Sequence, residues 1–455
     1  MTTYRGTAAP SAPTAGHGGA RRGFALLGTV QATLIFTLAA LAVPLPRIAA
    51  EFDLDQGRLI LLSAAYGLTF AGLLLLGGRL ADRYGARRAL TAGLLLFAAA
   101  SALAPLATGY AGLLGARFAQ GAGAALVAPA AMGALRALYP EPAAYGRAMG
   151  TWGGLSVLGA TAGNLLSGAI TAAASWRASF AVPVAVAVAA LLLARRLLPA
   201  TPPGADRALD LPGALLATAG IVLASTGLVL TDAHPWGSAP VLVPLLGGLA
   251  LLAGFARAER RAADPLLPPG FLRDRRRLLG LAAVALTAAG TATVFVLLSL
   301  DLQRERGYSA ALTSAAFVPF AAALLGAGRL AGPLIGRYGP GRVTAAGLGA
   351  AGAGLALLAA GSGDPTVPYA HGLLPGLLLL PAGGALSFAG AAVLATERVP
   401  ADRAGLAGGV LNTAMELGPT VVFAALLTLG ASAAPLAAAA ALFAALAALT
   451  ARLAK

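Results

Sequence analysis

The 455-residue sequence has no cysteine, a single lysine (Lys455) and three histidines (His17, His234 and His371). Without cysteine there are no disulfides, iron–sulfur clusters or thiolate metal sites, and the redox compartment is left open. The scattered histidines offer no zinc or haem constellation, so neither metal nor other cofactor is expected. A Walker loop needs an internal Gly-Lys-Ser/Thr, and a retinal or pyridoxal site an internal lysine. ATP hydrolysis by that route is excluded, so any work draws on a gradient or is passive. Charge is scarce too: 11% of residues are charged, against about 25% in soluble domains. With 58% hydrophobic residues, the chain exceeds what one core in water can bury. An ordinary soluble enzyme is ruled out, and a polytopic all-α membrane protein is expected.

A helix needs about 20 apolar residues to cross the hydrocarbon. Charge-poor runs of that length recur at Gly23–Pro46, Leu59–Gly78, Ala89–Ala107, Gly109–Leu135, Ala148–Ala174 and Ala178–Ala194. Two more follow at Leu211–Thr231 and Ala239–Ala256, then Leu278–Leu300, Ser309–Gly328, Val343–Gly361 and Tyr369–Ala395. The stretch Ala404–Thr450 is too long for one helix and is split near Ser432, giving fourteen spans in all. An even number puts both termini on one face. On that face stand 26 of the 32 basic residues, with five (Arg47, Arg58, Arg177, Arg304, Arg306) opposite and Arg117 alone inside a span. The asymmetry is that of the positive-inside rule, so the termini are expected in the cytoplasm of a multi-pass cell-membrane protein. The net charge of +15 is therefore topology, and no nucleic-acid partner is expected. Arg21-Arg22-Gly23-Phe24 loosely resembles a twin-arginine export signal, but the apolar run is too long for one. Residues 1–22 are expected to form a disordered cytoplasmic tail.

The segments after spans 2 and 10 repeat one another. At an offset of 254, Gly78, Leu80, Arg83, Tyr84, Gly85, Arg88 and Gly93 recur as Gly332, Leu334, Arg337, Tyr338, Gly339, Arg342 and Gly347. A weaker echo links 146–159 to 405–418. Both copies have the same orientation, which predicts two parallel helical halves rocking around a site near the midplane.

The loop Gly78-x-Leu80-Ala81-Asp82-Arg83-x-Gly85-x-Arg87-Arg88 resembles the signature loop of the major facilitator superfamily. Arg117-x-x-Gln120-Gly121-x-Gly123-x-Ala125 is similar to the family's RxxQGxGxA motif. Gly159-x-x-x-Gly163-Asn164-x-x-Ser167-Gly168 resembles the antiporter motif GxxxGPxxGG, with Asn164 for Pro and Ser167 for Gly. Trp176-Arg177-x-x-Phe180 matches the WRWxF segment of drug exporters, and 210–267 resembles the inserted helix pair of the fourteen-span drug:proton antiporters. The resemblance implies the family's fold: six-helix bundles at 23–198 and 277–455, with a linker at 199–276 carrying two inserted helices. It further implies alternating access and export of small amphipathic compounds across the lipid bilayer in exchange for protons, by a monomer.

The motif residues have physical readings of their own. Glycines at 78 and 85 let two helices turn back through a short connection. Asp82, among arginines, is expected to be ionised, and the resemblance places it at the N-terminus of the span starting near Ala404. A carboxylate there is favourable by about 0.3–1 kcal/mol. With Arg83, Arg87 and Arg88 it forms either a conformational latch or a topology signal of solvated charges. Gly336 takes the Asp82 position in the second copy. Arg117 lies about 12 Å below the membrane surface, where an arginine must face protein, water or a counter-charge; it is expected to face a cavity, sharing one helix face with Gln120 and Gly121. The resemblance implies an acid in span 1, but Thr37 stands at that position. Glu416, near the middle of span 13, is the one carboxylate deep in any span. Burial favours its protonated form, which suits proton exchange; the alternative is a structural hydrogen-bonding role between the halves. The glycines of span 5, among them Gly159, Gly163 and Gly168, permit close helix packing. The leading expectation is a proton-coupled exporter. An uncoupled facilitator or dedicated single-metabolite exporter is the second reading, and a membrane sensor or enzyme, or a channel, the remote ones.

Overall fold

No water pairs backbone N–H and C=O groups within hydrocarbon, so each apolar run must satisfy itself as a helix. The computed structural model describes residues 17–200, 210–232, 234–362, 364, 366–429 and 433–453. Among them fourteen helices are long and apolar enough to cross a membrane. Spans 1–6 are Gly18–Ala39, Gly57–Tyr84, Ala86–Leu106, Tyr110–Leu138, Pro142–Ala173 and Trp176–Leu197. Spans 7 and 8 are Leu211–Val229 and Ala239–Glu259. Spans 9–14 are Arg275–Glu305, Val318–Tyr338, Pro340–Gly361, Tyr369–Thr396, Ala404–Leu426 and Ala433–Leu453.

Several boundaries differ from the sequence reading. Span 10, expected over Ser309–Gly328, runs over Val318–Tyr338 after a separate short helix, Ala310–Ala316, because Pro319 starts a new helix there. The first helix starts at His17, so residues 17–22, assigned above to the tail, are helical; residues 1–16 lie outside the described residues. Span 1 ends at Ala39 and not at Pro46, because Pro44 and Pro46 cannot donate into the ladder. A separate short helix, Leu45–Phe52, starts there and closes on Asp53 at φ 48°. Span 9 continues past Leu300 through a π-helical turn, Asp301–Glu305. Span 13 is α-helical only to Gly418 and then passes into a π turn, Pro419–Phe423, where proline removes a donor. The split expected near Ser432 lies outside the described residues.

Small residues set the packing, since lipid offers helices no hydrophobic reason to associate and close backbone contact must do so. In the first bundle Gly77 sits on Ala125, Gly93 on Gly123, and Gly159 and Gly163 on Ala32 and Phe36. In the second, Gly347 meets Gly383, Gly280 meets Ala391, and Gly418 meets Ala285. Spans 7 and 8 interlock through Gly220, Gly227 and Gly248. This pair leans on span 2, where Thr218 Oγ1 donates to the Gly72 carbonyl at 2.9 Å. The architecture is two six-helix bundles plus two inserted helices.

The halves meet through glycines as well. A Cβ on Gly78 would stand 2.5 Å from the Gly405 carbonyl oxygen, and one on Gly150 2.7 Å from that of Gly328. Gly408 abuts Pro129, Gly409 abuts Leu74, and Gly154 abuts Leu325. Apart from Gly328 and Leu325, at and just beyond the middle of span 10, these residues lie in the half of their span nearest the arginine-rich face. There the two bundles are closed against each other.

Candidate functional site

Spans 2 and 3 are joined by one residue, Gly85, at φ 88° and ψ 139°. A side chain is strained in that region of backbone space, so the turn requires glycine. The turn leaves Asp82 at the end of span 2, beside the N-terminus of span 13. Its Oδ1 accepts from the Gly405 amide at 2.5 Å and its Oδ2 from the Leu406 amide at 2.8 Å. These are two of the four donors that a helix start leaves without intrahelical partners. The carboxylate reaches them because Gly78 and Gly405 bring the backbones into contact. Of the arginines in the loop, Arg83 lies over the Tyr84 ring at 5.5 Å, Arg87 is half-buried and Arg88 exposed.

Arg79 is a residue that sequence reasoning counted only as topology. It is buried and forms an ion pair with Asp264, in the connection between spans 8 and 9. The segment following the inserted pair is thereby tied to the end of span 2. One signal was available: an arginine i−3 to Asp82 shares its helix face.

Arg117, Gln120 and Gly121 lie together: Arg117 bonds to Gln120, and Arg117 and Gly121 both meet Tyr66. Arg117 is 1% exposed. Its Nη1 donates to the Thr37 carbonyl at 3.0 Å and to Gln120 Oε1 at 3.2 Å. Its guanidinium stands 4.9 Å from the centroid of the Tyr66 ring. Gln120 Nε2 donates to Ser101 Oγ at 2.9 Å, and Gly121 lies against the backbone of Tyr66. The cavity Arg117 lines is enclosed by residues of spans 1, 4 and 6 and the turn after span 1, within the first bundle. That is a different place from the space between the halves. Thr37, where the resemblance implies an acid, presents its backbone carbonyl to Arg117 instead.

Glu416 is half-buried, and its carboxylate makes no hydrogen bond or ion pair among the described residues. It stands just before the π turn at Pro419, a kind of helix irregularity that often accompanies functional sites. Glu416 and Arg117 do not pair. Tyr66 lies within electrostatic reach of both, and its hydroxyl donates to the Leu34 carbonyl at 3.0 Å. No spacing in the sequence points to the place of Tyr66 beside these two residues. In the second bundle Phe295 stacks on Phe317 at 4.6 Å and meets Phe320 edge-on at 5.1 Å.

Span 5 carries two glycine faces. Gly146, Gly150 and Gly154 face the second bundle, whereas Gly159 and Gly163 face span 1, and Gly168 lies 3.3 Å (from an ideal Cβ) from Val43. The side chain of Asn164 is outside the described residues. On the face opposite the arginine-rich loops, Trp176 Nε1 and Arg177 Nη1 donate to Glu51 Oε2 at 2.7 and 3.0 Å. The WRxxF segment thus closes the far end of the first bundle. Those two hydrogen bonds hold the Glu51 carboxyl below the usual range.

Comparison with known proteins agrees with this geometry. Residues 25–423 match the Major Facilitator Superfamily. The chain is 37% identical to the cephamycin export protein CmcT of Amycolatopsis lactamdurans, over 96% of this chain and 90% of that one. It is 36% identical to the puromycin resistance protein pur8 of Streptomyces alboniger, over 91% and 84% respectively. Among solved structures, the facilitator-superfamily transporter FucP superposes with a TM-score of 0.65 at 16% identity, over 96% of this chain and 99% of that one. The chain belongs to the Major Facilitator Superfamily and is a membrane transporter, not an enzyme.

Proposed function

We propose that this transporter, acting as a monomer in the cell membrane, exports small amphipathic molecules by alternating access, in exchange for protons taken up at Glu416. The observation that carries the reading is Glu416 itself. It is a carboxylate in the middle of a span, half-buried and without a hydrogen-bond partner among the described residues. An acid so placed is costly and is kept where it moves charge. Export is supported by relatives named for cephamycin export and for puromycin resistance. The Asp82 contact supplies a latch that holds the halves together on the arginine-rich face, which the charge bias makes cytoplasmic. The glycine contacts on that face support reading this as the outward-facing state. Gly159, Gly163 and Gly168 hold span 5 to span 1 while its other glycine face engages and releases the second bundle.

A second reading, an uncoupled exporter or one dedicated to a single metabolite, is favoured by Thr37 at the position where the family resemblance implies an acid. Proteoliposomes with an imposed pH gradient separate the two. Glu416→Gln is expected to abolish substrate-driven proton flux while substrate still binds; a variant that responds to the gradient like wild type leaves the uncoupled reading standing. For orientation, a reporter fused at Gly237, between spans 7 and 8, is expected to read external. A cytoplasmic signal there would remove the proposed topology.

A further inference from the structure

Two of the three guanidinium nitrogens of Arg117, Nε and Nη2, are buried and have no hydrogen-bond partner among the described residues. They are neighbours on one edge of the planar group, the edge that offers two parallel N–H bonds. Nη1, on the other side, is already engaged by the Thr37 carbonyl and Gln120. Arg117 and Ser179 both line the pocket between spans 1, 4 and 6, and Ser179 Oγ is likewise buried without a partner. The remaining wall is apolar: Phe36, Trp176, Phe180 and Pro183 contribute to it.

No carboxylate of the chain pairs with Arg117 among the described residues. Glu51, near the same end of the bundle, is committed to Arg177 and Trp176. Glu416 forms no ion pair with Arg117 among the described residues. The Tyr66 ring covers one face of the guanidinium, which offsets part of the charge but satisfies neither free N–H. A charge held in an apolar surround needs both hydrogen bonds and a counter-charge. A water molecule supplies the first only.

We propose that this pocket is an anion site, in which the Nε–Nη2 edge of Arg117 and the Ser179 hydroxyl hold a small monovalent anion: chloride or formate. The two share one chemistry. The free edge accepts a carboxylate in two parallel bonds or a halide astride them, and the pocket, with room for little more than one water molecule, admits nothing larger. The site does not depend on proton coupling at Glu416.

The test uses purified full-length protein in lipid nanodiscs, read by Tm and by tryptophan fluorescence, since Trp176 is in the wall. Sodium formate, its neutral isostere formamide, and sodium chloride are compared with sodium sulfate at equal ionic strength. Formate or chloride is expected to raise Tm saturably and to change the fluorescence, while formamide does neither. Saturation by formate at lower concentration than chloride assigns the site to a carboxylate; the reverse order assigns it to the halide. Arg117→Gln is expected to abolish the response. Should that variant fail to fold, Ser179→Val keeps the guanidinium while removing the hydroxyl, and is expected to weaken the anion about fivefold. Equal behaviour of wild type in formate, chloride and sulfate overturns the proposal. So does a folded Arg117→Gln, or a Ser179→Val, that responds like wild type.

Discussion

At Gly85 and Gly339 the backbone turns through the same left-handed conformation, with φ of 88° and 82°. Three residues before each turn the copies part: Asp82 in one, Gly336 in the other. The helices they face differ in a matching way. Span 13 is preceded by Arg403, which caps nothing, so the Gly405 and Leu406 amides depend on Asp82 from the other half of the molecule. Span 5 starts with Glu141, whose carboxylate caps no amide, and with Pro142, which removes one of the N–H groups that would need a cap. Gly336 meets only the methyl of Ala143 there, at 3.5 Å from an ideal Cβ. The tight turn is therefore common to both halves, whereas the cap across the interface exists in one. A cap supplied from across is lost when the halves part, so it favours one state; the second copy, with Gly336, has no carboxylate to supply one.

The largest effect is expected from breaking that asymmetry. Asp82→Asn replaces one acceptor by a donor facing an amide and removes the charge. Bonds of this kind contribute about 1.5–3 kcal/mol, so the closed state is disfavoured by roughly ten- to a hundredfold. Transport in membrane vesicles is expected to collapse with the protein still inserted at normal levels. Adding Gly336→Asp to that variant is expected not to restore it, because Pro142 removes a donor from the start of span 5 and the Glu141 carboxylate repels a second one there. Restored transport would show that the two loops are interchangeable.

The spans, the repeat and the two-bundle fold were legible in the sequence because hydrocarbon imposes helix length and charge position directly. The partner of Asp82 came from resemblance; spacing within one loop carries no information about residues 323 positions away. Arg117 shows what was hidden. Its depth marks it as costly, but depth alone does not tell a central cavity from the interior of one bundle; its partners Thr37, Gln120 and Tyr66 all belong to the first bundle. The Arg79–Asp264 pair, too, joins two segments that only tertiary packing brings together. Helix ends moved where prolines acted, at Pro44 and Pro419, because a missing donor matters more there than apolar character.

An intermediate effect, equal in the two halves, is expected at the turns. Gly85→Ala and Gly339→Ala both force a side chain into a region that glycine alone occupies freely, at a cost of about 1–3 kcal/mol each. A Cβ at Gly339 meets nothing within 4 Å, so there the cost is backbone strain alone. Thermal unfolding in detergent is expected to drop similarly for the two. A clear inequality would mean that the turn is also load-sensitive to the latch beside it.

The smallest effect belongs to the far ends of the bundles, where the halves again do similar things with different exposure. In the second bundle Arg306 pairs with Asp301 at 2.9 Å, both nearly buried, and its Nη2 donates to the Gly361 carbonyl at 2.8 Å. In the first, Arg177 pairs with Glu51 at 2.7 Å, and both side chains are about a third exposed. Exposed pairs contribute about 0–1 kcal/mol, so Glu51→Gln is expected to lower Tm only slightly at pH 7. The sign with pH follows from the hydrogen bonds of Arg177 and Trp176, which hold the folded carboxyl below its unfolded value of 4.5. The contribution is fully present above that value and disappears as pH falls through the lower folded one. Wild type and Glu51→Gln are therefore expected to converge in Tm in acid. A gap that persists there would mean that Glu51 acts through packing against Trp176, and that the first bundle is closed by its aromatic cluster and not by charge.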